Sequence, residues 1–350
     1  MSRLAIATAV TSVPMGAQVY EREISSRAFD ALAGVGAPWT VQRVAARSLR
    51  SDLDGTLRLP IGLLEHSGAG VRRAIGRFVY PRGALVHRMS LTLPPAPREV
   101  VTLHDVVAWR FRDEGTPVAA AARELREAAA VICVSQATAD DAIEMFGLEN
   151  TRVVHLGVDE RFRDPIPLDP ARLHVLRIPG RYILHAGGAS DRKNLPALAD
   201  AWRRISQQYP DVTLALSGPP HPRRDELFRD QARVALLGRV DGAQVPGLLA
   251  GAEAVVVPSL HEGFGLPVLE AMAAGTPVVA ADTSSLPEVA GGAAILVPPT
   301  GEGIADGLAA LLDGQVDAHA LIARGRSRAA QFTWERSAAE HAAIWKEAAG

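Results

Sequence analysis

Several features that would reveal a protein's class are scarce in this chain of 350 residues. A single cysteine, Cys133, excludes an intramolecular disulfide framework and fits a reducing compartment. No apolar run approaches the roughly 20 residues that span a bilayer, and the run at residues 4–10 is too short for a signal peptide, which favours a first strand. The net charge of −2 gives no reason to expect nucleic-acid binding. We therefore expect a cytoplasmic protein without a nucleic-acid partner.

Lysine is almost absent as well. Arginine carries the positive charge everywhere except at Lys193 and Lys346, a bias that is typical of a GC-rich genome. A lysine that persists against this bias in a predicted loop, at Lys193, favours a chemical role for that side chain, with chance as the alternative.

The secondary-structure pattern predicts parallel α/β sheets, because short apolar strands alternate with helical segments. In the first half the predicted strands cover residues 4–10, 39–45, 84–88, 100–104, 130–134 and 152–155. In the second half they cover residues 182–186, 213–217, 235–238, 254–258, 277–281 and 294–297. The predicted helices include residues 118–129, residues 137–146 with Ser135 as the N-cap, and residues 195–207.

The alternation breaks at residues 159–180, which hold four prolines and several charges. We interpret this segment as the linker between two doubly wound, Rossmann-like domains, residues 1–165 and 166–333, that face a central cleft. For the last helix, residues 334–350, our hypothesis is that it packs back on the first domain. Ligands of such sheets bind beyond the carboxyl ends of the strands, so function is expected in the segments that follow strands.

The segment with the most unusual residues, 258–277, joins a buried strand to a helix through a loop that contains Gly263 and Gly265. Pro267 suits the first turn of that helix, and Gly275 suits its C-terminal cap. Free backbone N–H groups and the helix dipole favour a phosphate at the helix start. The glycines allow the backbone to come close to a ligand.

Two carboxylates, Glu262 and Glu270, flank this loop. Because acids repel a phosphate, they need another task, and accepting hydrogen bonds from sugar hydroxyls is such a task. Each hydrogen bond to a charged acceptor contributes about 1.5–3 kcal/mol. The alternative is that both glutamates only favour the helix N-terminus.

A second candidate anion site follows the predicted strand at residues 182–186. A glycine turn that starts at Gly187 leads to Arg192, Lys193 and the start of a helix. Cations at fixed positions would stabilise the charge that builds on a diphosphate leaving group, without a metal. The alternative is an exposed basic pair, which the dipole at a helix start disfavours.

No metal is implied by the acidic residues. Asp52 and Asp54 form an Asp-x-Asp pair, but they lie in a loop with glycine and arginine and are interpreted as solvated turn residues.

The first half supplies two further candidates. His104 ends a predicted strand, where a side chain is placed for a site, although a lone histidine there is often structural. Asp105 follows it as a support or a cap. Gly16 opens a helix at the end of the loop 11–17, for which an ordinary strand–helix turn is the alternative.

The segment between His66 and Arg98 contains arginines and no acid. The arginines are Arg72, Arg73, Arg77, Arg82, Arg88 and Arg98. Residues 71–79 could form a basic amphipathic helix, and we hypothesise that the region 71–88 meets an anionic or lipid-linked acceptor or the inner face of a membrane. A solvated helix face is the alternative.

Together these motifs resemble glycosyltransferase family 4, a large family of retaining enzymes with the GT-B fold. The segment from Glu262 to Glu270 is similar to the Glu-x7-Glu motif of that family. Residues 238–241, 284–289 and 294–298 also look like the family. The resemblance covers most of the second half of the chain and, more weakly, the first half.

The resemblance implies roles for the residues of the glycine loop. Glu262 would contact hydroxyls of the donor sugar, and backbone groups of Phe264 and Gly265 would contact the same sugar. The Leu266 amide would meet a phosphate, and Glu270 would hold the ribose diol of the nucleotide.

It also implies roles outside that loop. Arg192 and Lys193 would grip the diphosphate after the turn at Gly187, and His104 would orient the sugar near the reacting carbon. The loop that ends at Gly16 would reach the donor and acceptor. In one departure from the family, this chain has Gly188 where some members carry a further arginine. Fewer cations would therefore hold the diphosphate.

The implied function is metal-independent transfer of a hexose from a nucleotide-diphosphate sugar, with retention of configuration, as in polysaccharide biosynthesis. The base (GDP, UDP or dTDP), the sugar and the acceptor (glycan, lipid-linked or small molecule) stay open, and no cofactor is expected. Two alternatives are a sugar-nucleotide epimerase on a similar fold and a non-catalytic sugar-nucleotide-binding protein.

Overall fold

The computed structural model describes residues 2–11, 16–36 and 38–350, which divide into two compact units. Unit 1 comprises Met1–Gly157 with Thr333–Gly350, and unit 2 comprises Val158–Phe332. The first boundary thus precedes the one predicted after residue 165. The reason is that Phe162 is buried in unit 2 and the Val158 amide donates to the Phe332 carbonyl over 3.2 Å.

Among its described residues, unit 1 has a parallel sheet of seven strands. They are β1 (Ser2–Ala9), β2 (Trp39–Ser48), β3 (Leu57–Leu59), β4 (Leu85–Arg88), β5 (Glu99–Leu103), β6 (Ala130–Cys133) and β7 (Thr151–Val153). Their order across the sheet is β3-β2-β1-β4-β5-β6-β7. Strands β4, β5 and β6 are buried along their whole length, as parallel strands covered on both faces are. The predicted strands are confirmed, and only β3 is additional, because three residues are too few to give a pattern.

The helices of unit 1 fill the connections between these strands. They are α1 (Gly16–Gly34), α2 (Ile61–Glu65), α3 (Ala69–Val79), α4 (Val107–Arg110), α5 (Ala121–Glu127) and α6 (Gln136–Phe146). The predicted N-cap is confirmed, since Ser135 Oγ accepts from the Thr138 amide over 3.0 Å. Helix α5 is shorter than predicted, because Ala128 takes an extended conformation that leads the chain into β6.

Unit 2 has a second parallel sheet, with six strands among the residues described. They are β8 (Arg181–Ala186), β9 (Val212–Ser217), β10 (Val234–Gly238), β11 (Ala254–Val257), β12 (Val278–Ala281) and β13 (Ile295–Val297). The order is β10-β9-β8-β11-β12-β13. All six were expected from the apolar runs, and their bounds agree with the prediction within one residue.

Eight helices of the described chain belong to unit 2. They are α7 (Pro170–Val175), α8 (Leu195–Gln208), α9 (Pro222–Phe228), α10 (Val245–Ala250), α11 (Leu266–Ala274), α12 (Leu286–Ala290), α13 (Gly301–Leu312) and α14 (Ala318–Ala329). Two short 3₁₀ helices, Glu160–Phe162 and Asp191–Lys193, complete the unit. Residues 159–180 are therefore not a free linker, since Glu160–Phe162 and α7 lie in this unit. The last helix, α15 (Trp334–Ala349), returns to unit 1 and packs against α1.

Two of the six arginines that the sequence places on a basic surface lie in the core of unit 1. Arg72 and Arg88 are fully buried, and both contact Glu124 of α5. The Arg72 Nε donates to Glu124 Oε1 over 2.6 Å, and Arg88 Nη1 donates to Glu124 Oε2 over 3.1 Å. Arg88 also meets Glu99 over 2.8 Å. The prediction of a surface cation is therefore wrong for these two residues, because buried acids distant in sequence neutralise them.

Candidate active site

The two predicted cations occupy a fixed turn after β8. Arg192 and Lys193 end the 3₁₀ helix Asp191–Lys193, and Asn194 then takes a left-handed conformation with φ of 54°. The Asn194 side-chain amide donates to the carbonyls of Pro258 and Pro299, over 3.0 and 2.9 Å. These bonds tie the turn to the ends of β11 and β13. The side chains of Arg192 and Lys193 are only 17% and 11% exposed, so they are not an exposed basic pair.

Both cations meet the carboxylate of Glu262. Lys193 Nζ lies 2.6 Å from Oε1, and Arg192 Nη1 lies 2.8 Å from Oε2. A third donor, the Ser259 hydroxyl, reaches Oε1 over 2.7 Å. The backbone of Glu262 is held as well, since its N–H donates to Ser284 Oγ and its carbonyl accepts from Ser285 Oγ, each over 2.9 Å. The sequence analysis gives no role to these serines, although Ser259 stands three residues before Glu262.

The electrostatics of this cluster favour an anion. Burial alone would raise the pKa of Glu262, but the charges of Lys193 and Arg192 outweigh it and hold that pKa at about 2. Glu262 is therefore ionised throughout the physiological range. Two cations and one carboxylate leave one excess positive charge in a largely buried turn, where charges act more strongly than in water.

The glycine loop leads into α11 as predicted. Gly265 is the N-cap with φ of 99°, and Gly275 ends the helix with φ of 77°. A Cβ at Gly265 would lie 2.9 Å from Leu286 Cδ2, so a larger residue would strain the backbone and require the Leu286 side chain to shift. Phe264 is buried and its ring packs edge-on against Phe332 at 5.8 Å. Leu266 is the first residue of the helix, so its amide belongs to the N–H groups that the helix itself leaves unpaired.

The turn at Gly187 lies beside Lys193. A Cβ at Gly187 would be 3.7 Å from Lys193 Cδ and 3.3 Å from His185 Nε2. The carbonyls of Gly187 and Gly188 accept from the buried guanidinium of Arg224, over 2.6 and 3.1 Å. The sequence pattern does not indicate a role for Arg224, because an arginine early in a helix is expected to be exposed at the surface.

Glu270 stands apart from this cluster. It is half-buried on α11, and among the described residues it forms no hydrogen bond or ion pair. Burial raises its pKa to about 7, with Asp159 adding to the shift and Arg161 opposing it. Its carboxyl group is thus available to a ligand and changes charge near neutral pH.

Replacing Glu270 with glutamine is expected to stabilise the protein at pH 8. The folded state holds the proton of Glu270 up to a pKa of about 7, whereas the unfolded chain releases it near its ordinary value, so stability is lost as the pH rises between the two. The variant avoids this loss, and we expect a gain of about 1–3 kcal/mol at pH 8. Urea unfolding at pH 5 and 8 measures it, and an equal gain at both pH values would contradict the assignment.

His104 follows β5 in unit 1. Burial lowers its pKa, while Asp105 and a backbone hydrogen bond with Met89 oppose the shift. Its Nε2 is buried and has no hydrogen-bond partner among the described residues. The Tyr20 ring packs edge-on against it at 4.9 Å. Asp105 Oδ1 accepts from the Val107 amide over 3.2 Å, which makes it a turn residue.

Gly16 is the first residue of α1. Residues 12–15 of the loop predicted to reach the donor lie outside the described residues. Gly16 and His104 both belong to unit 1, whereas the cations, both glutamates and the glycine loop belong to unit 2.

Two features are absent from the described part of the chain. In residues 2–11, 16–36 and 38–350, no three His, Cys, Asp or Glu side chains are grouped so that they could hold a metal ion. Across the same part of the chain, no helix combines the length and apolarity that a bilayer crossing requires.

Comparison with solved structures defines the fold. A sucrose-phosphate synthase from Thermosynechococcus elongatus superposes with a TM-score of 0.73 at 21% identity, covering 99% of both chains. WaaG, a glycosyltransferase involved in lipopolysaccharide biosynthesis, gives 0.71 at 16% identity, covering 97% of this chain and 99% of that chain. The predicted GT-B fold, with two Rossmann-like α/β units, is thereby confirmed.

Comparison with sequences defines the family. The family description "Glycosyl transferases group 1" matches residues 180–314, and "Glycosyltransferase Family 4" matches residues 70–162. The O-antigen chain mannosyltransferase B of Escherichia coli is 31% identical over 278 residues, which are 73% of this chain and 70% of that protein. The chain belongs to glycosyltransferase family 4, as its motifs indicated, and it is a glycosyltransferase.

A second relative is the MMP alpha-(1->4)-mannosyltransferase of Mycolicibacterium hassiacum. It is 33% identical over 239 residues, which are 65% of this chain and 56% of that protein. The chain thus spans little more than half the length of this relative.

Proposed function

We propose that the chain transfers a hexose, most simply mannose, from a nucleoside-diphosphate sugar, with retention of configuration and without a metal. The observation that carries the proposal is the turn in which Arg192 and Lys193 meet the buried Glu262 beside the glycine loop. Mannose is favoured because O-antigen chain mannosyltransferase B and MMP alpha-(1->4)-mannosyltransferase are among its relatives.

The excess positive charge of this turn suits a diphosphate. In the proposed complex the phosphates lie between Lys193, Arg192 and the first amides of α11, with the Leu266 N–H on one phosphate. As the glycosidic bond breaks, negative charge builds on the departing diphosphate. Cations that the fold already holds in place stabilise it with little reorganisation, which is the largest single contribution in many enzymes.

Glu262 orients the cations and retains room for a sugar hydroxyl. An ionised carboxylate has about four lone-pair sites. Three donors already occupy Glu262, namely Lys193, Arg192 and Ser259, which leaves about one site. The second carboxyl group, Glu270, is without such donors and takes the ribose diol in our proposal.

The proton of the acceptor goes to the departing phosphate in this mechanism. Glu262 is a poor general base, because its pKa of about 2 lies far below that of a hydroxyl. The phosphate oxygen is a stronger base and leaves from the face that the acceptor attacks. Same-face attack of this kind gives retention, while His104 Nε2 accepts a hydrogen bond from a sugar hydroxyl and orients the ring.

A panel of sugar nucleotides tests the donor. GDP-mannose is expected to raise the unfolding temperature, because a ligand at 100 times its dissociation constant adds about 2.7 kcal/mol to the free energy of unfolding. UDP-glucose and dTDP-linked deoxyhexoses are the comparison ligands, and the absence of a shift with every donor would contradict the proposal. Conversion of the donor without an acceptor would indicate an epimerase, and binding without any turnover would indicate a binding protein.

Transfer activity is expected to persist in excess EDTA, because the two cations carry the charge that a divalent ion would otherwise neutralise. The measurement is product formation with and without the chelator. Loss of activity that magnesium restores would overturn the metal-independent mechanism.

We further propose a glycan or lipid-linked acceptor and contact between unit 1 and the inner face of a membrane. Helix α3 exposes 85% of Phe78, and Val71 lies on the same helical face. In the same unit α2 exposes 70% of Leu63. At the end of α3, a cavity of about 340 Å³ is lined by Arg77, Arg82 and Arg98, with no acid among its described residues. Exposed apolar side chains beside arginines favour an anionic bilayer.

Replacing Phe78 with serine is expected to weaken binding to anionic phospholipid vesicles roughly tenfold or more, because burying a phenylalanine contributes about 1.5–3 kcal/mol. Ile166 of unit 2, which is 87% exposed, gives the control variant Ile166→Ser, for which we expect no change. Vesicle co-sedimentation measures both, with phosphatidylcholine vesicles as the neutral comparison. Equal binding of wild type to both kinds of vesicle, or no binding, would contradict the proposal.

A further inference from the structure

A network of hydrogen bonds in the core of unit 1 runs through Tyr20, whose ring packs against His104. Tyr20 Oη lies 2.7 Å from both Thr102 Oγ1 and His341 Nε2. His87 Nε2 lies 2.8 Å from the same Thr102 oxygen. These side chains come from α1, β5, α15 and β4, and all are fully buried.

The direction of every bond in this network follows from one backbone carbonyl. His341 Nδ1 lies 2.7 Å from the Ser337 carbonyl, which can only accept, so Nδ1 carries the proton. Burial lowers the pKa of His341 to about 4, so the ring is neutral and its Nε2 accepts from the Tyr20 hydroxyl. Tyr20 Oη in turn accepts from Thr102, whose oxygen accepts from His87 Nε2–H.

The same network fixes the surroundings of His104. The Tyr20 ring meets the His104 ring edge-on at 4.9 Å, with an angle of 87° between the planes. Thr102 stands two residues before His104, at the end of β5. Because its hydroxyl is bonded on both sides, Tyr20 cannot turn away without leaving buried polar groups unpaired. The Tyr20 ring, packed against the His104 ring, therefore limits the rotation of His104.

Helix α1 is held by the same bonds. It begins at Gly16, one turn before Tyr20, and it packs against α15, which carries His341. Through its hydrogen bond with Tyr20, α15 is thus connected to α1, which begins at Gly16, and to the ring of His104. Gly16 and His104 are the two residues of unit 1 to which donor contacts are assigned.

We propose that Tyr20 and His341 are positioning residues that hold His104 in the orientation that sugar transfer needs. This inference rests on the proposed function. His104 Nε2 has no partner among the described residues, so its orientation depends on the Met89 backbone hydrogen bond and on the Tyr20 ring. An error of about 1 Å in the place of such a group can reduce the rate 100-fold.

The decisive variant is Tyr20→Phe, which keeps the ring and removes the hydroxyl that holds it. We expect kcat for sugar transfer to fall roughly tenfold or more. Binding of the nucleoside diphosphate alone is expected to stay within about twofold, because the residues assigned to it lie in unit 2. Transfer kinetics and calorimetry with GDP separate the two effects.

Tyr80→Phe provides the matched control. Tyr80 is also buried in unit 1, and its hydroxyl donates to the Pro94 carbonyl over 2.8 Å. This variant loses a comparable buried hydrogen bond without touching the bonds that hold Tyr20 against His104, so we expect near wild-type kcat. Equal loss of kcat in Tyr20→Phe and Tyr80→Phe would show a general packing defect and would overturn the inference.

His341 provides a rescue test. His341→Leu removes the acceptor of the Tyr20 hydroxyl and is expected to reproduce the loss in kcat, whereas the amide oxygen of His341→Gln can still accept and should restore most of it. Wild-type kcat in Tyr20→Phe or His341→Leu would overturn the inference while leaving the proposed function intact. If the wild-type protein binds no sugar nucleotide, the proposed function is contradicted, and this inference, which rests on it, is contradicted as well.

Discussion

Replacing Lys193 with alanine is expected to lower kcat by roughly 100- to 1,000-fold, the range measured when one group that stabilises a developing anion is removed. In the variant, Arg192 is the one cation of the pair that still meets Glu262, so the turn loses its excess positive charge. Donor affinity is expected to fall much less, because Glu270 and the amides at the start of α11 are untouched. Steady-state kinetics with calorimetry of donor binding measure the two effects separately.

The chain offers its own control for this experiment. Lys346 is the other lysine, and its Nζ donates to the Val35 carbonyl on the surface of unit 1. Lys346→Ala is expected to keep wild-type turnover, and Lys193→Arg to recover part of it. A Lys193→Ala enzyme that loses donor affinity and kcat to the same degree would contradict a role specific to the leaving group.

Replacing Glu124 with alanine is expected to destabilise the protein by about 3–5 kcal/mol, the usual cost of breaking a buried ion pair on one side. The change removes the only carboxylate that contacts Arg72 within the described chain, and it leaves Arg88 with Glu99 alone. Both guanidiniums would remain in the core, where an unpaired charge is costly. Urea or guanidinium unfolding measures the loss.

Glu127 provides a matched control three residues further along α5. Its carboxylate pairs with Arg73 and Arg123, and all three side chains are partly exposed. Glu127→Ala is expected to cost at most about 1 kcal/mol, since exposed pairs contribute little. Similar unfolding midpoints for the two variants would show that the buried network contributes less than its geometry indicates.

The strands of both sheets were accessible to sequence analysis. A buried parallel strand needs a short continuous apolar run, and such runs lie at twelve of the thirteen strands. Strand β3 escaped because three residues at a sheet edge carry no pattern. The boundary between the units was not predicted correctly either. Prolines predict a break in regular structure, but they do not indicate in which of the two units Phe162 is buried.

The candidate site was accessible in part. Glycines, prolines and glutamates of residues 262–275 follow the local rules of a strand–loop–helix junction, and the spacing of the two glutamates indicated the family. The contact between Glu262 and Lys193 was not accessible, because it joins residues 69 positions apart. Tyr20, Thr102 and His341 escaped for the same reason, since three elements must come together before their hydroxyl and ring groups meet.

By itself the sequence determined where strands and helices form and which loops follow the carboxyl ends of strands, because those properties depend on residues close together in the chain. Only the tertiary structure decided which charged side chains are neutralised. Arg72 and Arg88 look like Arg77 and Arg82 in the sequence, yet the first two are buried and the others are exposed. The difference is that Glu124 and Glu99 pair with the buried arginines. Burying a charged side chain is costly unless the fold places an opposite charge beside it.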